Sequence, residues 1–170
     1  DFFGDVRVRQ AIAQCIDRWA IVDEVTYGRS IVPDTYLPPM HPLYPTDDLT
    51  YWDYEPAAAR ALLEEVGWLD EDEDGIREAR GVEGITRGTP FEATFLLPLS
   101  DRDALPQQVA PIIKTNLADC GIRVDIEPLQ EWVFEADGPE GPFFGRQFDL
   151  AGTTRVFSVV PACENYISSE

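Results

Sequence analysis

Apolar residues recur every three to four positions in four stretches of the chain, and this spacing predicts four helices. The stretches are residues 5–18, 17–28, 55–67 and 104–120. Aspartates stand where the first two helices begin and glycines stand where the last three end, so N-caps and left-handed C-caps are available. The N-cap candidates are Asp5 and Asp17, and the C-cap candidates are Gly28, Gly67 and Gly121. The first two helices are therefore expected to meet at Asp17.

Apolar and polar residues alternate in two other stretches, residues 91–97 and 122–128, as they do in half-buried strands. Helix 104–120 lies between them, and a strand-helix-strand order favours parallel pairing through a right-handed crossover. A short helix around Trp132 and a Gly/Pro-rich loop then precede a third predicted strand within residues 146–157. The predicted fold class is therefore α/β, with a small mixed sheet that contains a βαβ unit and is flanked by helices.

Residues 29–54 show neither period and carry five prolines together with many aromatic residues. Proline removes backbone donors and fixes φ, while aromatic side chains can anchor a segment to the body of a protein. We expect an ordered, irregular surface loop. Loops of this length are commonly functional or mobile, so this segment is also a candidate contact surface for another protein.

Composition is informative mainly through net charge, which bears on the classes of partner. Apolar residues make up 44% of the 170 residues, which is typical of a globular domain, and no apolar run reaches the roughly 18 residues of a membrane span. Acidic residues number 32 against 13 basic ones, for a net charge of −19. Such a surface repels phosphate backbones and anionic lipids, which argues against a nucleic-acid partner. We interpret the acidity as a source of solubility; the alternative is attraction of cationic ligands.

Catalytic signatures are missing from the sequence. It has no nucleophile elbow, P-loop or dinucleotide fingerprint, and its single histidine, His41, lies in the proline-rich loop. We therefore predict no catalytic residue, no cofactor and no enzymatic activity. An enzyme domain that uses His41 stays open as the weaker alternative.

The three cysteines, Cys15, Cys120 and Cys163, match no zinc-binding spacing. Cys15 falls on the apolar face of its helix and is expected to be a small buried hydrophobic residue. Cys120 precedes one predicted strand and Cys163 follows another, so a Cys120–Cys163 disulfide is possible if those strands are antiparallel. The alternative is a free thiol or a partner outside this chain.

The stretch DEDEDGIRE, residues 70–78, carries Asp70, Asp72 and Asp74 followed by a glycine. Alternating carboxylates with glycine at the sixth position match the first half of an EF-hand calcium loop. The second half does not match, because the twelfth position is Gly81. The three aspartates are thus weak calcium candidates, and a self-capped, solvated turn is the competing interpretation.

Four segments occur in the order DVRVRQAIAQCIDRWAIVDEV, YEPAAARALLEEVGWLDEDEDGIRE, LADCGIRVDIEPLQEW and RQFDLAG. Together they resemble the extracytoplasmic solute-binding proteins of ABC importers, specifically family 5, the oligopeptide-, dipeptide- and nickel-binding group. The resemblance implies a periplasmic-binding-protein-like lobe, with residues 1–170 forming a single domain excised as the second lobe of a two-lobed protein. It further implies capture of peptides or similar solutes outside the membrane by a lipoprotein, and delivery to an ABC permease. The partners implied are the solute, the permease and the protein's own first lobe.

One departure from the family pattern concerns the site. Peptide-binding members carry a GW motif after the FDL strand and an acidic residue that holds the peptide ammonium group, whereas here Arg155 and Ser158 stand near those places. An arginine would favour a carboxylate or another anion. The resemblance implies that four residues border the ligand cleft: Thr154, Arg155, Phe157 and Ser158.

Overall fold

A computed structural model describes residues 2–35, 37–47, 49–101 and 103–154. It contains five helices and five strands within these ranges. The helices are α1 (Val6–Cys15), α2 (Arg18–Thr26), α3 (Pro56–Val66), α4 (Leu105–Asp119) and α5 (Glu131–Phe134). The strands are β1 (Trp68–Leu69), β2 (Glu78–Ala79), β3 (Glu92–Leu99), β4 (Arg123–Gln130) and β5 (Leu150–Ala151).

The predicted N-caps of the first two helices are confirmed. The carboxylate of Asp5 accepts a hydrogen bond from the Arg7 amide at 2.8 Å, and that of Asp17 accepts one from the Ala20 amide at 2.9 Å. The end of α2 differs from the prediction by one residue, because Tyr27 rather than Gly28 is the C-cap. Tyr27 itself adopts a left-handed conformation with φ 55°.

The sheet confirms the predicted parallel strand-helix-strand unit. Its strand order is β4-β3-β5, and both pairs are parallel, with Glu92 opposite Arg123 and Leu99 opposite Gln130 at the two ends of the longer pair. Strands β1 and β2 form a separate antiparallel hairpin. The third predicted strand is much shorter than expected, since pairing covers only Leu150–Ala151, and residues 155–157 lie outside the described part of the chain.

One hydrophobic core joins helices α1, α3 and α4 with the hairpin and the sheet. Helix α1 packs on α3, and Trp68 of the hairpin stacks on Phe91 with 4.3 Å between ring centroids. Strand β3 is more buried than alternation predicts, because the consecutive residues Leu96 and Leu97 are both buried. Consecutive burial means that both faces of this central strand are covered, as in parallel sheets generally.

The predicted Cys120–Cys163 disulfide is wrong for Cys120, whose partner is Cys15. Cys15 is the last residue of α1 and Cys120 is the C-cap of α4, and the packing of these helix ends brings the two Cα atoms within 6.3 Å. The predicted burial of Cys15 is confirmed, but it is not a free thiol. Because Cys120 is already bonded, it cannot also pair with Cys163, which lies outside the described residues.

The proline-rich loop has no helix or strand among its described residues, as predicted. It is attached to the body at several points. The Glu55 amide donates to the Gln14 carbonyl at 2.9 Å, the Arg18 guanidinium donates to the Trp52 carbonyl, and the Leu37 side chain is buried. Within the described ranges, no helix combines the length and apolar character needed to span a membrane.

Candidate ligand-binding site

The carboxyl ends of β3 and β4 form one wall of an open groove with a volume of about 760 Å³. Parallel strands end at the same edge of a sheet, so the residues that follow them are brought together, and this edge is where α/β proteins commonly bind ligands. Helix α4 begins and helix α5 lies at this edge. The groove is lined by Leu99, Ser100, Asp101, Ala104, Gln107, Gln130, Glu131 and Trp132.

Trp132 is the most prominent side chain of the groove, with 77% of its surface exposed. It lies on the four-residue helix α5, which is anchored by its other aromatic residue. Phe134 is buried and stacks on Phe143 with 4.8 Å between ring centroids. Because a large exposed aromatic surface is costly in water, a tryptophan presented in a groove is typical of a binding surface.

The first turn of α4 is fixed to the end of β3 by Gln107. Its Nε2 donates to the Pro98 carbonyl at 2.8 Å. Its Oε1 is buried and accepts no hydrogen bond from the described residues. This hydrogen bond ties α4 to β3 at the groove, where Gln107 is one of the lining residues.

Charge at this edge is negative. Asp101 and Glu131 line the groove, and the Ser100 hydroxyl donates to Oε2 of Glu131 at 3.2 Å. Asp103 follows closely, and its carboxylate accepts hydrogen bonds from the Thr154 hydroxyl and from the Leu105 amide at 3.0 Å. These bonds, with the Thr154 bond the larger cause, lower the pKa of Asp103 and keep its carboxylate ionised.

A smaller apolar recess of about 210 Å³ lies on the other side of the first turn of α4, where β5 ends. Thr154 lines it together with Leu105 and Gly152. The Gly152 amide donates to the Leu96 carbonyl at 3.0 Å, and a Cβ at this position would lie 2.8 Å from the Leu97 side chain. Glycine thus lets the chain pass directly over the sheet edge.

The structure places one of the four predicted cleft residues, Thr154, at the carboxyl edge. Arg155, Phe157 and Ser158 lie outside the described residues. Sequence reasoning missed Asp101 and Glu131 as site residues, and it assigned Trp132 only to a short helix. The signal that could have found them is their position directly after two parallel strands.

The acidic stretch forms the tip of the β1–β2 hairpin. Carboxylate oxygens of Asp70, Asp72, Asp74 and Glu78 lie within 4.8 Å of one another. The three aspartates also accept hydrogen bonds from backbone amides of the same turn: Asp70 from Gly75, Asp72 from Asp74, and Asp74 from Ile76. The turn is therefore self-capped.

Arg77 of the same stretch is buried, with 6% of its surface exposed. Its Nε donates to the Cys120 carbonyl at 2.9 Å and its Nη1 to the Trp68 carbonyl at 2.8 Å. Its backbone amide donates to the Gly121 carbonyl, and a Cβ at Gly121 would lie 2.7 Å from the Arg77 Cγ. The hairpin is thereby fixed at the amino ends of β3 and β4, the opposite edge of the sheet from the groove.

His41, the residue of the enzyme alternative, lies in a turn of the proline-rich loop. Its Nδ1 accepts a hydrogen bond from the Leu43 amide at 3.1 Å. Its backbone amide and carbonyl also take part in local turns, with Pro38 and Tyr44. The imidazole thus contributes to loop structure, and it does not line the groove.

A parallel α/β unit with an open groove at its carboxyl edge is typical of a lobe that binds a ligand. Comparison with known families also indicates a ligand-binding protein. The model of the bacterial extracellular solute-binding proteins, family 5, matches residues 1–158. The chain therefore belongs to this family.

Individual relatives have related names. The chain is 30% identical over 135 residues to the oligopeptide-binding protein AppA of Bacillus subtilis, which covers 78% of the chain and 23% of AppA. It is 29% identical over 146 residues to the nickel-binding periplasmic protein of Escherichia coli. This match covers 84% of the chain and 26% of the relative. The solved structure of AppA with a nonapeptide superposes with a TM-score of 0.77 at 24% identity, covering 95% of this chain and 30% of AppA.

These matches confirm the periplasmic-binding-protein-like fold. The family is one of extracellular solute-binding proteins, and the two relatives are named for binding oligopeptides and, in the periplasm, nickel. The chain spans only about a quarter of the length of the curated relatives it matches.

Proposed function

We propose that this chain is the second lobe of a two-lobed solute-binding protein, and that it holds a peptide or a similar solute in the groove at its carboxyl edge. The observation that carries the proposal is Trp132, whose exposed ring lines the groove at the carboxyl ends of β3 and β4. Family membership supports solute binding as the activity. The groove supports the carboxyl edge as the place where the solute binds.

The open shape of the groove supports a mechanism of lobe closure. A groove open to solvent provides only part of a binding site, whereas pockets that hold small ligands bury most of the ligand surface. A first lobe that closes by a hinge would cover the solute and the Trp132 ring together. Capture then needs no chemistry, only a difference in solute affinity between the open and closed states.

The second part of the proposed site follows the sheet edge beyond β5. Thr154 lies there, where its hydroxyl donates to Asp103, and we propose that Arg155, Phe157 and Ser158 also contact the solute. Arg155 in this role would favour a carboxylate or another anionic group of the solute. A peptide offers such a group at its C-terminus.

The proposed location is the outer face of the cell membrane, where a lipoprotein anchor would keep the protein close to its ABC permease. The buried Cys15–Cys120 disulfide supports a location of this kind. Disulfides persist in oxidising compartments and are rare in the cytosol.

Mass spectrometry of solutes that co-purify with the complete protein tests the proposal. We expect peptides or similar solutes in the wild-type protein and their loss in a Trp132→Ala variant. Trp19→Ala removes an exposed tryptophan of α2 and is the matched control, since its ring is 60% exposed and does not line the groove. Retention of the same solutes by Trp132→Ala would refute the placement of the site.

A protein-interaction role of the loop at residues 29–54 is the second candidate. It is favoured by Met40, which is 83% exposed, and by the exposed Leu43. Replacing both with serine should leave solute binding unchanged. If the double variant lost interaction with the permease complex while still binding solute, the loop would be a docking surface.

A further inference from the structure

The groove combines negative charge with an accessible aromatic ring. Among its described lining residues, Asp101 and Glu131 are the charged ones and none is basic; Arg102 lies outside the described residues. The Ser100 hydroxyl holds the Glu131 carboxylate at the ends of the parallel strands. This bond orients a carboxylate that lines the groove.

Trp132, like the carboxylates, can attract a positively charged group. The indole ring has the strongest cation–π interaction of the aromatic side chains, and this interaction strengthens when water is removed. The ring of Trp132 follows directly after the Glu131 carboxylate in the chain and is exposed in the same groove. Because both side chains line the one groove, a positive group bound there can be attracted by both.

We propose that this groove selects solutes that carry a positively charged nitrogen, an ammonium or guanidinium group, recognised jointly by Trp132, Glu131 and Asp101. This inference rests on the proposed function, because it names the class of solute that the same site takes. Selection is for an organic cation: the described carboxylates that converge closely enough to hold a metal ion lie in the hairpin and not in the groove.

The test is isothermal titration of the complete protein, freed of bound solute, with three pentapeptides. They are Ala-Lys-Ala-Lys-Ala and its analogues with glutamine or glutamate in place of both lysines. All three share the same terminal ammonium and carboxylate, so any contribution of Arg155 to a carboxylate is common to them. Glu131→Gln and Trp132→Leu are the groove variants, and Glu24→Gln and Trp19→Leu on the exposed face of α2 are their matched controls.

We expect the lysine peptide to bind about tenfold or more tightly than the glutamine peptide, and the glutamate peptide to bind most weakly. In both groove variants this preference should fall below about threefold, while both controls should keep it. The preference should also shrink as salt is raised.

Each other outcome overturns part of the account. If the three peptides bind the wild-type protein equally well, selection for a cation is wrong while the proposed function stands. A lysine preference that survives in both groove variants would mean that charge is read elsewhere in the protein. If none of the three peptides binds, the inference is refuted, whereas the proposed function is decided separately by the solutes that co-purify with the complete protein.

Discussion

The two edges of the three-stranded sheet differ sharply in how they are closed. At the amino edge, the buried Arg77 links the hairpin to the end of α4, and the Cys15–Cys120 disulfide joins α4 to α1. At the carboxyl edge, the exposed Trp132 and Glu131 face an open groove. The eight-residue strands β3 and β4 separate these edges by roughly 23 Å.

The difference indicates that one end of the β3–β4 pair stabilises the fold and the other end binds the solute. Cross-links and buried hydrogen bonds at the amino edge stabilise the lobe without touching the groove. The carboxyl edge can then leave a large aromatic ring and several carboxylates uncovered, at a cost in stability that the other edge offsets. Substitutions should therefore separate cleanly into those that change stability and those that change binding.

The largest effect is expected from the disulfide. Replacing Cys15 with serine removes a cross-link that spans 105 residues of sequence, and we expect a loss of about 3–5 kcal/mol in the free energy of unfolding. Chemical denaturation monitored by circular dichroism measures it. Cys163→Ser is the control and should leave stability unchanged; a loss as large as that of Cys15→Ser would show that Cys163 carries the cross-link.

Arg77 gives the next largest effect. Arg77→Met keeps much of the buried aliphatic volume but leaves the carbonyls of Trp68 and Cys120 without their donors, which should cost about 2–4 kcal/mol. Arg87→Met, at an exposed position of the neighbouring loop, should change stability by less than about 0.5 kcal/mol. If both substitutions changed the free energy of unfolding equally, Arg77 would not stabilise the amino edge as proposed.

A smaller, pH-dependent effect is expected at the carboxyl edge. The Thr154 hydroxyl lowers the folded-state pKa of Asp103 below the unfolded value of about 3.9, so the contribution is present above about pH 4 and is lost as pH falls through the folded pKa. Thr154→Val should therefore lower the melting temperature slightly near neutral pH. Below the folded-state pKa of Asp103, the wild-type and Thr154→Val proteins should have the same melting temperature. A difference that persists there would show that the substitution acts through packing and not through the Asp103 carboxylate.

Trp132→Ala should change the free energy of unfolding by less than about 0.5 kcal/mol, because most of the ring is already exposed in the folded chain. Thermal denaturation of the solute-free protein measures this. A loss comparable to that of Arg77→Met would mean that Trp132 supports the fold, and the contrast between the two edges would fail.

The smallest effect is expected from calcium at the hairpin tip. Asp70, Asp72 and Asp74 already cap the backbone of their own turn, and the Glu78 carboxylate lies 3.8 Å from the Arg80 guanidinium. We expect the melting temperature in millimolar calcium to match that in chelator at equal ionic strength. A clear rise would show that the converging carboxylates bind the ion.

Much of the fold could be predicted because local rules agree with it. Asp5 and Asp17 cap their helices as their side chains allow, and the alternating segments on either side of α4 pair in parallel. The disulfide could not be predicted, because the approach of Cys15 to Cys120 depends on how α1 crosses the end of α4. Sequence spacing carries no information about that crossing.

The residues that line the groove were not predicted, and the four cleft residues named from the sequence stay predictions. Thr154 follows the last strand, and the resemblance to solute-binding proteins was enough to direct attention to it. Trp132 follows the end of β4 in the same way, but an aromatic residue in a short amphipathic segment is usually buried, so its exposure is not expected from the sequence. Its exposure follows from Phe134, which occupies the core from the same short helix and leaves the tryptophan outside.

Hydrogen–deuterium exchange of the complete protein, with and without the solute recovered from it, tests the central claim most directly. If the carboxyl edge holds the solute, binding should slow exchange at residues 99–101 and 130–132 and leave the hairpin, residues 68–79, unchanged. Protection confined to the hairpin or to the loop at residues 29–54, with none at the groove, would contradict the account.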